Sequence, residues 1–199
     1  MIRENTPELE TERLILRKLA DSSADMEALF AILRDEATNV FLPWFLIRNM
    51  EEAKAHARKR FFDFYAKDSA YRYVICMKTD NRPIGYVCLG EGESFDFGYG
   101  LRSDFWHRGI VTEAAQKVME RIQAAGYPYI TATHDVNNPR SGNVMKKIGM
   151  EYCYSYRELW MPKRIPVTFR LYQRNFDGGK QVYRGYWERY PEHFVETAL

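Results

Sequence analysis

In the run FWHRGIVTEA, residues 105–114, a short basic turn containing a glycine passes straight into a helix. The helix is marked by Val111, Ala114, Ala115, Val118, Ile122 and Ala125, which fall on one stripe across residues 110–125, and Gly126 stands where a helix-ending glycine belongs. One apolar stripe requires one packed face, so this helix must lie against a sheet or another helix. Its N-terminus follows the turn almost without a linker, which leaves several backbone N–H groups unpaired at the positive end of the helix dipole. That combination suits a phosphate or a pyrophosphate.

The elements on either side say what the helix packs on. Residues 13–19 read as a strand with Leu14 and Leu16 on one face and Ile15, Arg17 and Leu19 on the other. Asp25 is a candidate cap for a helix running to about Leu33, and a second, strongly charged helix fits residues 50–66, with Ala53, Ala57, Phe61 and Phe64 or Tyr65 inward. Residues 71–77 and 84–89 read as a hairpin around the turn chemistry of residues 79–83. Residues 95–101 are a further strand that carries Gly98 and Gly100, and glycine in a strand marks a bulge or the close approach of another backbone or ligand. A strand at 129–134, a helix led by Pro139 and closed by Gly149, and strands at 151–161 and 167–174 complete the pattern. Three strands joined by short turns imply an antiparallel meander, and a helix between two strands implies a parallel crossover. The expected fold is a mixed α/β (α+β) sheet with helices on both faces. No strand leads into GxGxxG, which argues against a doubly wound dinucleotide fold.

Composition narrows the function classes. At 199 residues, 46% of them apolar, the chain is expected to form one domain, 1–199, with a core over about 11–174 and an aromatic extension at 175–199. Lys plus Arg number 29 against 27 for Asp plus Glu, so net charge points neither to nucleic acid nor to a membrane. Cys76, Cys88 and Cys153 cannot all pair and show no metal spacing, so no metal is expected. With no signal-peptide pattern in MIRENTPELE, the expectation is a cytoplasmic protein.

Three motifs in this order resemble one family. FDFGYGL (95–101), FWHRGIVTEA and NNPRSGNVMKKIGM (137–150) are similar to the cofactor regions of GCN5-related N-acetyltransferases (GNAT), in the subgroup of bacterial ribosomal-protein N-terminal acetyltransferases, and TERLILRKL resembles that subgroup's first strand. The resemblance implies a mostly antiparallel sheet of six to seven strands with a splayed central strand pair, and acetyl-coenzyme A as co-substrate. It places cofactor contacts at Phe97, Gly98, Tyr99 and Leu101, at Trp106, His107, Arg108, Gly109, Ile110, Val111 and Thr112, and at Asn138 and Ser141. Arg108 and the amides of residues 107–112 are the implied pyrophosphate contacts, with the pantetheine arm beside Gly98 and Gly100. Val111 departs from the family's glycine or alanine, and Met145 stands where many members carry a tyrosine acid.

Acetyl transfer to an amine requires a neutral acceptor, and an α-amine has a pKa of about 8, so a base or desolvation is needed. Asp96 aligns with the glutamate of the family's EIGY motif and is one candidate base. His134, late in the strand beside the cleft, is a second, and Glu158 in a late strand is a third. Ser141 or water stands in for the missing tyrosine acid. The implied activity is direct transfer of acetyl from acetyl-coenzyme A to a small-molecule or peptide amine in a ternary complex. The alternatives are a non-catalytic acyl-coenzyme A sensor and an interaction module built on the tail, through which a homodimer would assemble.

Overall fold

The computed structural model describes residues 4–67 and 70–198. Strands β1 (Leu9–Glu10), β2 (Leu14–Arg17), β3 (Arg72–Met77), β4 (Pro83–Leu89) and β5 (Phe97–Leu101) form one antiparallel sheet in chain order. A second antiparallel sheet takes the order β6 (Tyr129–Asp135), β8 (Ile165–Asn175), β7 (Glu151–Trp160), β9 (His193–Phe194). The expected parallel crossover narrows to a single bridge between Asp96 and Thr131, at the point where β5 and β6 meet. Apart from the two-residue strands β1 and β9, the described residues hold seven strands across the two sheets, where the family resemblance implies six to seven.

Helix α5 (Ile110–Ala124) connects the two sheets. Its stripe of Ala114, Ala115, Val118 and Ile122 is fully buried in the main core with Leu14, Leu16, Tyr73, Ile75 and Val87. Residues this tightly packed supply most of the stability, at about 25 cal/mol per Å2 of apolar surface removed from water. The opposite face of the first sheet carries α1 (Ser23–Leu33) and the segment α3 (Met50–Ala57), a π-helical turn (Arg58–Phe62) and α4 (Asp63–Tyr65). Met26, Leu29, Leu33, Ala57 and Phe61 pack there on Val74 and Cys76. The short α2 (Glu36–Asn39) lies between α1 and α3.

Ser22, not Asp25, caps α1: the Ser22 hydroxyl accepts from the Asp25 N–H. Asp25 instead forms a bidentate pair with Arg17, at 2.6 and 3.0 Å, and accepts from the Ala20 N–H. A carboxylate in the first turn of a helix serves the dipole as well as a cap does, so sequence pattern alone does not separate the two positions.

Helix α6 (Pro139–Lys147) follows β6 and is capped by Asn138, whose side chain accepts from the Ser141 N–H. The extension beyond β8 folds back over the second sheet as α7 (Gly185–Arg189) and β9. Tyr154, Tyr156, Val167 and Phe169 form a third core with Val182, Tyr186, Trp187 and Tyr190 packed against it.

Candidate active site

Beyond Asp96 the sheet divides. Around the bridge, the Thr131 N–H donates to Phe95 O and the Thr131 hydroxyl to Ser94 O. Among the described residues, β5 pairs from Phe97 onward only with β4, and β6 pairs along its length only with β8. The two facing edges therefore border a cleft that continues into a cavity of about 850 Å3. Phe97, Gly98, Tyr99 and Leu101 line it from β5, and Thr133, His134 and Asp135 from β6.

The two strand glycines serve different purposes. A Cβ on Gly98 would meet nothing within 4 Å, so Gly98 leaves open space along the cleft edge. A Cβ on Gly100 would lie 2.6 Å from the Tyr86 ring, so that glycine exists for packing inside the protein. The Leu101 carbonyl is also occupied, accepting from Trp106 Nε1 at 2.8 Å and the Thr38 hydroxyl at 2.9 Å.

The turn before α5 is built on left-handed backbone at His107 (φ 61°) and Gly109 (φ 73°), the N-cap, which offers no side-chain cap. The N–H groups of the first turn are therefore left for an external acceptor. Arg13 braces the turn: it donates to Arg108 O at 3.1 Å and pairs with Glu113 at 2.6 Å, and Glu113 also accepts from Thr11. His107, Gly109, Ile110, Val111 and Thr112 all line the cavity. Val111 sits inside the first helical turn, half-buried against the main core and bordering the cavity.

Arg108 turns away. Its guanidinium donates to Asp104 O at 2.9 Å and lies over the Phe105 ring. Sequence reasoning missed Arg140, which lines the cavity from α6 with its guanidinium 4.3 Å from the centre of the Trp106 ring. The signal was available in NNPRSGN: a basic residue in the first turn of the second motif's helix.

At the centre of the cleft Tyr99 Oη donates to Ser141 O at 2.8 Å and lies 3.2 Å from Ser141 Oγ. Burial raises the Tyr99 hydroxyl well above its ordinary pKa, so it stays protonated. Met145, at the family's tyrosine position, is buried in the core. His134 is also buried, with Nδ1 2.8 Å from Asp135 O. A carbonyl only accepts, so Nδ1 carries the proton and Nε2 bears the lone pair. Among the described residues Nε2 has no hydrogen-bond partner, and burial depresses the ring's pKa.

Asp96 is half-buried at the fork, and burial pushes its carboxyl up to about 6, opposed by the positive charge of Arg72. Asp96, Arg72 and Glu158 line the same cavity.

Two diverging strand edges, an open glycine and an uncapped helix start give the cleft the form that the family resemblance implies for a coenzyme A-dependent acyltransferase. The chain belongs to the GNAT acetyltransferase family: the family model described as "Acetyltransferase (GNAT) domain" matches residues 13–151. It is 28% identical over 174 residues to an uncharacterized N-acetyltransferase, YoaA, of Bacillus subtilis (strain 168), covering 83% of this chain and 95% of that one. Among solved structures, RimL, a ribosomal L7/L12 α-N-protein acetyltransferase in complex with coenzyme A, aligns with a TM-score of 0.73 at 20% identity, over 87% of this chain and 100% of that one. The microcin C7 self-immunity acetyltransferase MccE, in complex with acetyl-CoA and AMP, aligns with a TM-score of 0.71 at 17% identity, over 83% and 93% of the two chains. The protein is an N-acetyltransferase that uses acetyl-coenzyme A. Among the described residues, no helix is long and apolar enough to cross a membrane.

Proposed function

We propose that the chain transfers acetyl from acetyl-coenzyme A directly to a primary amine, with Asp96 as general base. The observation that carries this reading is a carboxyl with a pKa near 6 at the fork of β5 and β6, on the wall of the cavity. A base poised near neutral pH accepts the ammonium proton and remains mostly ionised at pH 7. The amine nitrogen bonds to the acetyl carbon, the carbon–sulfur bond breaks, and the amine proton leaves through Asp96. The thiolate takes a proton through Ser141, whose hydroxyl is positioned by Tyr99 and resupplied from water. The uncapped first turn of α5, with Arg140 across the turn, holds the pyrophosphate, and the open edge of β5 at Gly98 holds the pantetheine arm. Holding both reactants in one cleft supplies proximity without a covalent enzyme intermediate.

The acceptor is an amine of a small molecule or a peptide. Likeness to RimL supports an α-amine, since RimL is named for acting on one. The placement of Met145 in the core favours a second reading, an acyl-coenzyme A sensor. Thiol release from acetyl-coenzyme A across an amine panel, with product masses, separates the two. Acetylated product that disappears in Asp96→Asn supports the transferase; tight acetyl-coenzyme A binding with no product from any amine supports the sensor.

A further inference from the structure

The family match ends at residue 151, yet the cavity does not. Part of its wall is built by β7 and by the C-terminal extension: Tyr156, Trp160, Tyr186 and Tyr190 line it together with Asp96 and Glu158. Tyr156 and Tyr190 stack with ring centres 4.8 Å apart and planes 9° from parallel, and Tyr186 stacks on Tyr156 at 5.1 Å and 27°. The lining holds further aromatic rings. Trp44 and Tyr86 are among them, and each is held edge-on by a neighbouring ring, Trp44 by His56 at 5.1 Å and Tyr86 by Phe61 at 6.5 Å. The extension that supplies Tyr186 and Tyr190 is fastened to the second sheet. Glu196 accepts two hydrogen bonds from Arg170, at 2.8 and 2.5 Å, and one from the Ser155 hydroxyl. Tyr154 Oη donates to Tyr183 O at 2.9 Å, and β9 pairs with β7. The tail's rings are thus fixed parts of the cavity.

Charge near this end of the cavity balances, with Asp96 and Glu158 against Arg60 and Arg72, so charge alone selects no acceptor. Shape and polarisability do: several rigid rings in one lining favour a flat π-system, which gains stacking or edge-to-face contact beyond its buried area. Aliphatic chains of equal size gain only the area.

We infer that the extension beyond β8 completes an aromatic acceptor subsite through Tyr186 and Tyr190, and that the acceptor is a small primary amine joined by a short linker to an aromatic ring, with these two tyrosines as the residues that select it. The inference rests on the amine-acetylation reading above and narrows it to a substrate class.

The test compares phenethylamine and tryptamine with n-hexylamine and n-octylamine, as acceptors with acetyl-coenzyme A and as ligands in calorimetry on the full chain saturated with coenzyme A. The expected result is kcat/KM and affinity at least tenfold higher for the aromatic amines. Tyr186→Leu and Tyr190→Leu should each reduce that ratio about fivefold or more through KM, with acetyl-coenzyme A affinity retained, and Tyr190→Phe should restore it. Circular dichroism and melting curves identify any variant that fails to fold, and the comparison of amines on the unaltered protein stands without the variants. Equal binding of aromatic and aliphatic amines, or a ratio unmoved in folded variants, overturns the subsite. Preferential binding of aromatic amines without acetylation supports the subsite and sinks the acetylation reading instead.

Discussion

The Cα of Gly142 faces the ring of His134 so closely that a Cβ there would stand 2.6 Å from Nε2. The lone pair of His134 is therefore met by the backbone of α6, and its proton is committed to Asp135 O. A histidine held this way fixes α6 against β6 and is poorly placed to exchange protons with an acceptor. His134→Leu should lower the melting temperature while leaving the acid limb of the pH–rate profile in place. Gly142→Ala should cost about 1–3 kcal/mol in denaturant unfolding, as overpacked sites do. A limb that disappears in folded His134→Leu would return this residue to the list of bases.

Asp96 is the group that should set that limb. With its carboxyl at about 6, kcat/KM should fall on acidification with a midpoint near pH 6, because the protonated form cannot accept the amine's proton. Asp96→Asn should lower the rate by about 10²–10³. Arg72 favours the ionised carboxylate, so Arg72→Gln should move the limb toward higher pH. A limb that stays fixed in Arg72→Gln, or full activity in Asp96→Asn, would assign the base elsewhere.

The strand glycines give a test with opposite outcomes two residues apart. Gly98→Ala adds its methyl to open space, so folding should be unaffected while KM for acetyl-coenzyme A rises. Gly100→Ala drives its methyl into the Tyr86 ring, so it should destabilise the fold by about 1–3 kcal/mol. Melting curves and acetyl-coenzyme A titrations on both variants read the two effects separately.

The pyrophosphate end is tested by charge. Gly109→Glu places a carboxylate at the start of α5 on backbone with φ 73°, and should weaken acetyl-coenzyme A binding at least tenfold. Arg140→Ala should weaken it several-fold, with a shallower dependence on salt, because Arg140 faces the turn over Trp106. Arg108→Ala should do less, since that guanidinium is turned toward Asp104 O. Equal losses at positions 108 and 140 would contradict this geometry.

These contrasts show what a sequence carries and what it does not. The stripe from Val111 to Ile122 declares α5 because helical period and burial coincide along one local segment. The motifs likewise placed Gly98, Gly109, Asn138 and Ser141 around one cleft, since each is set by its own turn or strand. Arg108 and Arg140 are both basic residues beside a helix start, and only their ring contacts separate them: Arg108 lies over Phe105 and Arg140 over Trp106. The π-helical turn that accommodates Arg60 and Phe61 has no signature in a run of charged and aromatic residues. Tyr156 and Tyr190 stack across thirty-four residues of chain, and no local period records a contact made when a tail folds back over a sheet.

Acid stability should show two opposing titrations. Burial, with Arg60 and Lys59 nearby, lowers His56 to about 4 from an ordinary 6.5. Between those values the unfolded chain binds the proton and the folded chain does not, so His56 removes stability as pH falls through that window, by up to about 3 kcal/mol. Asp96 acts in the other direction. Its folded pKa of about 6 lies above the ordinary 3.8, so between those values the folded chain holds the proton, and stability rises as pH falls, again by up to about 3 kcal/mol. Over the shared range, about pH 4–6, the two contributions largely cancel. His56→Phe should therefore make the protein gain stability on acidification from pH 6.5 to 4, relative to the unaltered chain. Asp96→Asn should make it lose stability over the same range. Urea unfolding at half-unit pH steps reads both slopes, and parallel curves for the two variants would show that neither group titrates in the folded protein as its burial requires.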